Sequence, residues 1–237
     1  MTAEQRAKDI ECFYKLLKQL EKRVGGKKPK LKEFMSVVPA DTKGVYFIFE
    51  TGEYRHRDGC KLRVVRVGSH GFTAKSRSTI WTRLFEHLMP YGRSVFRDHV
   101  RVAMKKRSGK SDSLKRDERD ELERCITRYI GEMPFLWVKI GGADGHRERR
   151  DLERSSIKLL SARGIEGASE SWCKWLGMSS NKVEIRSSGL WNVQHTKRRD
   201  YQSGFLDTLK SRIEETEALS SQDEGSDSPM CADSIDN

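Results

Sequence analysis

Gly44-Val45-Tyr46-Phe47-Ile48-Phe49 and Leu62-Arg63-Val64-Val65-Arg66-Val67-Gly68 decide the fold of this chain. Both stretches are rich in β-branched and aromatic residues, and Thr51-Gly52 and Asp58-Gly59 place turn formers between them. They therefore read as two paired strands. Each carries a polar residue two positions from a glycine, Tyr46 after Gly44 and Arg66 before Gly68. On neighbouring strands that placement brings a phenol toward a guanidinium. Phe135-Leu136-Trp137-Val138-Lys139-Ile140, closed by Gly141-Gly142, is predicted as the third strand.

Helices surround these strands. Residues 2–24 repeat Ile10, Phe13, Leu17, Leu20 and Val24 at helical steps and stop at Gly25-Gly26, with Thr2 and Gln5 placed as a capping box. This helix is expected to pack on the sheet, a dimerisation arm being the other use for it. After the second strand comes the polar loop Ser69-His70-Gly71-Phe72, with Lys75-Ser76-Arg77 leading to a helix start near Ser78 or Thr79. Ile80, Leu84 and Leu88 form its apolar stripe, and Arg83 and His87, also four apart, stack beside that stripe. Further helices are predicted from Val95, over Asp117–Ile130, over Glu148–Ala162 and within 197–213, where Phe205, Leu206, Leu209 and Ile213 recur. Glu153 falls at the rim of a buried stripe with Ile157 and Leu160, where a carboxylate needs a positive partner. Ser187–Val193 reads as a short extended piece returning to the core, with the Asn192 amide held between Trp191 and Val193.

Charge narrows the range of partners. The formal net charge is +11, from 46 Lys and Arg against 35 Asp and Glu. Eight acidic residues and no basic ones lie from Glu214 to the end, so setting those eight apart leaves +19 on what precedes them. Such an excess points to a polyanion, because basic side chains displace counterions condensed on nucleic acid. Arg93, Arg97, Arg101, Lys105 and Lys106 concentrate in one stretch and, with Lys75 and Arg77, are the candidate backbone contacts. A solvated face is the plainer use for such a run. Cysteines 12, 60, 125, 173 and 231 form no CxxC or Cys/His cluster, which argues against a zinc site or a disulfide framework. With no apolar run long enough to span a bilayer and no charged-then-apolar leader, a soluble, cytoplasmic (intracellular) protein without a membrane partner is expected.

With those residues in view, the chain resembles the GIY-YIG nuclease family. Gly44-Val45-Tyr46 is similar to the first signature triplet, and Arg66-Val67-Gly68 stands in the place of the second. Arg83 and His87 on a helix, Glu153 on a later helix and Asn192 in a closing segment follow in the family's order. The resemblance covers roughly residues 40–195. It departs from the family's pattern at Arg66, where tyrosine is usual, and in the longer spacing between the triplets. The fold it implies is α/β of the α+β kind, a small mixed or antiparallel central sheet of about three strands flanked by helices, with helical insertions. Along the chain this divides into an N-terminal helix and basic connector over 1–40 and a nuclease domain over 41–196, with a basic helical insertion near 89–132. A C-terminal helix over 197–219 and an acidic, disordered tail over 220–237 complete it.

Phosphodiester hydrolysis needs an activated water, neutralised phosphoryl oxygens and a stabilised leaving oxygen. The resemblance implies Tyr46, Arg66, Arg83, His87 and Asn192 as catalytic residues. Glu153 is then the ligand of one Mg²⁺ or Mn²⁺ per active site, whose remaining positions suit water and phosphate. Arg83 would grip the scissile phosphate through its planar fork. Tyr46 is the expected base, and Arg66 the cation that favours its ionised form. His87 would hydrogen-bond Tyr46 or the attacking water, and Asn192 would orient phosphate or the glutamate. His70 is a further candidate, more simply a packing or loop-capping residue. The expected function is a divalent-metal-dependent endonuclease acting on DNA, expected to be double-stranded, with restriction, phage defence and mobile-element biology all compatible and a homodimer left open. Its competitors are a GIY-YIG-like nucleic-acid-binding module without catalysis and a basic interaction protein.

Overall fold

The computed structural model describes residues 2–55, 61–70, 73, 76–109, 113–161, 174–198 and 200–220. Helix α1 (Ala3–Arg23) begins at Thr2, whose hydroxyl accepts the Gln5 N–H at 3.1 Å, and buries Phe13, Leu16, Leu17 and Leu20. A 3₁₀ turn (Leu31–Glu33) and the short α2 (Phe34–Val37) lead into strand β1 (Gly44–Tyr54). Strand β2 (Leu62–Ser69) and helices α3 (Ile80–Leu88), α4 (Val95–Arg107) and α5 (Arg116–Gly131) follow, then strand β3 (Phe135–Lys139) and α6 (Gly145–Leu160). A second 3₁₀ turn (Leu176–Ser179), α7 (Val183–Ser188) and α8 (Phe205–Ser220) complete the described chain. The Asp58-Gly59 turn, Gly71-Phe72 and the acidic tail lie outside the described residues.

The three strands form one antiparallel sheet in the order β2-β1-β3, so the most apolar strand is central and both its edges are paired. Alternation along a strand sends successive side chains to opposite faces. Tyr46, Ile48, Phe135 and Trp137 enter one core with residues of α3, α4 and α5 and with Trp175 and Trp191. Val45, Phe47, Phe49, Leu136 and Val138 enter the other, beneath α1, α6 and α8. The stretch read as a basic insertion thus supplies Phe96, Val100, Ala103, Leu122, Ile126 and Ile130 to the first core. Ser187 and Ser188 differ from expectation: they end α7, which Gly189 closes in the left-handed region at φ 72°, and only after it does the chain run along β2.

That return segment is held by an internal acid. Glu50 of β1, 8% exposed, accepts the indole N–H groups of Trp175 at 2.8 Å and Trp191 at 3.4 Å and the Tyr129 hydroxyl at 2.5 Å. Trp191 N–H in turn donates to the Val65 carbonyl at 2.7 Å. The segment is therefore pinned both to the centre of the sheet and to its outer edge.

Arg97 requires a correction. Proposed above as a nucleic-acid contact, it is fully buried, with Nη2 2.6 Å and Nε 2.9 Å from Glu123 Oε2. Its guanidinium also donates to the carbonyls of His87 and Leu88 and to Thr127 Oγ1, tying the end of α3 to α4 and α5. Arg101 is likewise committed inward and sideways, to Glu123 at 2.5 Å and to Asp98. Burial alone would push the Glu123 carboxyl up, but Arg101 and Arg97 together hold it below the ordinary carboxylate value. Breaking a buried pair from one side leaves an uncompensated charge. Arg97→Met should therefore lower the free energy of unfolding by about 3–5 kcal/mol, read from urea denaturation at neutral pH.

Candidate active site

The site begins with the pairing of β1 and β2. Tyr46 lies opposite Gly68 and Ile48 opposite Arg66, so the phenol and the guanidinium are diagonal neighbours on one face of the sheet. A Cβ at Gly68 would sit 2.3 Å from both Cζ and Oη of Tyr46. The ring therefore lies across the glycine, and any side chain there would displace it. Gly44 is constrained on the other side, where a Cβ would fall 1.9 Å from the Val138 carbonyl oxygen of β3. Each glycine at these two positions is thus required by a close approach of the sheet to itself.

Helix α3 supplies the next two groups. Thr79 caps it by accepting the Thr82 N–H at 3.2 Å, and Ile80 and Leu84 bury its stripe. One turn apart beside that stripe stand Arg83 and His87. His87 is fully buried, and its Nε2 lies 2.8 Å from Tyr46 Oη. Its Nδ1 lies 2.7 Å from Ser94 Oγ, the N-cap of α4. The edges of the His87 ring meet Tyr46 and Phe96, and Phe96 also carries the Arg66 guanidinium 4.8 Å above its ring. Burial first, then the charges of Arg66, Arg83 and His70, hold His87 well below the usual imidazole value, so it is neutral at neutral pH.

Two guanidinium groups face the phenol. Burial lowers Arg66, an effect that the neighbouring Tyr46 opposes and Arg83 reinforces. Arg66 Nη1 donates to the Trp191 carbonyl at 3.1 Å, its Nε is buried without a hydrogen-bond partner, and it makes no ion pair among the described residues. For Arg83, the phenol of Tyr46 and the carboxylate of Glu86, 2.6 Å from Nη1, outweigh burial and raise it. Glu153, reaching in from α6, accepts the Ser69 hydroxyl at 2.6 Å. Burial raises its carboxyl despite Ser69, Arg66 and Arg83, and among the described residues it makes no ion pair. Tyr46, Arg66, Arg83, His87 and Glu153 therefore converge.

Asn192 is engaged differently. Its Oδ1 accepts the Val67 N–H at 3.0 Å and its Nδ2 donates to the Val67 carbonyl at 2.8 Å, so the amide clips the peptide between Arg66 and Gly68 as a further strand would. His70 lies near Arg83 and Glu86, lowered first by burial and then by Arg83. Its carbonyl accepts Arg149 Nε at 2.9 Å, while Arg149 Nη1 takes the Ile140 carbonyl at 2.7 Å and joins the ends of β2 and β3. Of the proposed backbone contacts, Arg77, Arg93 and Lys106 are exposed, Lys105 is partly so, and Lys75 lies outside the described residues.

Ser69, Glu86, Ser94 and Phe96 join the site without having been singled out in the sequence. No cluster of three or more His, Cys, Asp or Glu able to hold a metal occurs among the described residues. Glu153 nevertheless suits a hard divalent cation that takes most of its ligands from water and phosphate: it is a carboxylate oriented by one hydroxyl, near Arg66 and Arg83 but in no ion pair among the described residues. Among the described residues no helix is long and apolar enough to cross a membrane.

A buried imidazole kept neutral costs stability as pH falls, because below about pH 6.5 the unfolded chain binds a proton that the folded one refuses. His87→Gln, which keeps a polar side chain, should therefore lose less stability than the native protein between pH 7 and pH 5. The difference should approach 1.4 kcal/mol per pH unit at most, read from urea midpoints at the two values. Equal losses would mean that His87 is charged in the fold.

A family model described as GIY-YIG domain matches residues 4–219. No curated protein and no solved structure gives a significant match.

Proposed function

The chain belongs to the GIY-YIG domain family of nucleases, and from that membership we propose that it is a divalent-metal-dependent DNA endonuclease whose active centre is the cluster of side chains around Tyr46. One observation carries the reading: Arg66 and Arg83 converge on a phenol, while Arg66, although it feels the charge of Glu153, makes no ion pair among the described residues. A charge left so is expensive in a fold and useful in a phosphate site.

In the proposed reaction Tyr46 works as a phenolate: a water attacks phosphorus as its proton passes to Tyr46 Oη, the bond to the departing sugar oxygen breaks, and that oxygen takes a proton from solvent. Arg66 and Arg83 hold the non-bridging oxygens and meet the charge that grows on them. Glu153, with Ser69 fixing its carboxylate, would hold Mg²⁺ or Mn²⁺, which when bound supplies Lewis-acid charge at the phosphate. Asn192 serves this centre through the backbone, by fixing the peptide that carries Arg66. The exposed Arg77, Arg93 and Lys106 are proposed to grip the duplex backbone without reading sequence.

Supercoiled plasmid incubated with the protein and Mg²⁺ or Mn²⁺ should be nicked or linearised, and chelation should stop it. Tyr46→Phe and Glu153→Ala should each reduce the rate by at least about 100-fold while retaining DNA binding. Arg66→Met should lower the rate and move its pH profile. A protein that binds the plasmid yet never cuts it under either metal would instead be a binding module on this scaffold, the reading that arginine in place of the second tyrosine favours.

A further inference from the structure

Ser94 stands one shell behind the proposed chemistry, and its hydrogen bonds fix which nitrogen of His87 carries the proton. The residue is fully buried at the head of α4. A serine hydroxyl has one proton to donate and two lone pairs to accept with. The Arg97 backbone N–H, a donor only, lies 3.1 Å from Ser94 Oγ and takes one lone pair. The other close neighbour is His87 Nδ1, at 2.7 Å.

Two arrangements are open to a neutral imidazole. If Nδ1 carries the proton, Ser94 accepts twice, and its own O–H points into the protein with no acceptor among the described residues. If Nε2 carries it, Ser94 donates to Nδ1 and accepts from Arg97, and Nε2–H donates to Tyr46 Oη at 2.8 Å. With Tyr46 ionised, as its proposed role as base requires, its oxygen only accepts, and the second arrangement alone leaves no hydrogen-bonding atom of Tyr46, His87 or Ser94 without a partner. The cationic Arg66 and Arg83 also disfavour a positive charge on His87, so the ring is poorly placed to take a proton from Tyr46 and pass it on.

We infer that Ser94 is a positioning residue that holds His87 as the Nε2–H tautomer, making the imidazole a fixed donor to the Tyr46 oxygen and not a proton relay. The inference rests on the nuclease reading, which makes Tyr46 Oη an accepting oxygen, and the tautomer is measured independently of cleavage. In this arrangement His87 and the two guanidinium groups all face the oxygen that receives the water's proton. The Arg97–Glu123 pair, by clamping the end of α3 to α4, keeps His87 and Ser94 in register.

The test is nitrogen NMR on the full chain with ¹⁵N-labelled histidine at neutral pH, joined to plasmid cleavage kinetics. In the native protein His87 should show a protonated Nε2 and an unprotonated Nδ1. Ser94→Thr, which keeps the hydroxyl, should preserve that pattern and activity. Ser94→Ala should populate the Nδ1–H form and lower kcat by at least about tenfold, short of the ~100-fold expected when an acid–base group itself is lost, with KM changed little and the pH profile moved. An Nδ1–H imidazole in the native protein overturns the inference even if Ser94→Ala does not fold. So does a Ser94→Ala protein with unchanged tautomer and pH profile. The expected tautomer in a protein that never cuts DNA would sustain the Ser94 assignment and defeat the nuclease reading, so the two failures are separable.

Discussion

Everything at this site depends on Tyr46 lying across a residue with no side chain. The pairing of Tyr46 with Gly68 sets the ring's position, and with it the distance from the phenol to His87 on the helix above. Because side chains alternate along a strand, a slip of one residue would turn Arg66 to the other face and bury it among Val64, Val67 and α6. The register is guarded from three directions. β3 approaches Gly44 too closely for any other residue, Asn192 clips Val67 at the outer edge, and Glu50 anchors the tryptophans that bring Asn192 there.

Electrostatics separates the arginines of this basic chain into two kinds. Arg97 and Arg101 are matched by Glu123, and their cost of burial is offset by short, multiple hydrogen bonds. Arg66 is buried against an aromatic ring and a phenol, with Glu153 near it but no ion pair among the described residues. Arg83 is intermediate, sharing Glu86 while facing Tyr46. The first kind builds the scaffold that positions α3; the second leaves positive charge where an anion would complete the set.

Much of this was legible in the sequence for a physical reason. β1 and β2 declare themselves by β-branched and aromatic content between turn formers and α3 by periodicity, and the glycines at 44 and 68 stand where the structure shows a close approach. The pairing of a phenol with Arg66 followed from the strand reading alone. Arg97 was misread because its neighbours form a basic run, although it stands three residues before buried Val100, as Glu123 stands three before buried Ile126. That spacing was the available signal for an internal pair. Ser69 and Ser94 left no comparable trace: a hydroxyl's role depends on partners far along the chain, and neither periodicity nor composition records it. The ending of α7 was hidden likewise, since a six-residue helix is too short for its period to emerge.

The central claim is that one phosphate fits the space bounded by Tyr46, Arg66, Arg83 and Glu153. A crystal structure of the protein with a DNA duplex and Ca²⁺, a cation that occupies Mg²⁺ sites without supporting rapid hydrolysis, tests it most directly. The account predicts a backbone phosphate bridging the two guanidinium groups, with Ca²⁺ on the Glu153 carboxylate and Tyr46 Oη facing the phosphorus. A duplex seated on the outer face of α4, leaving Arg66 untouched, would contradict it.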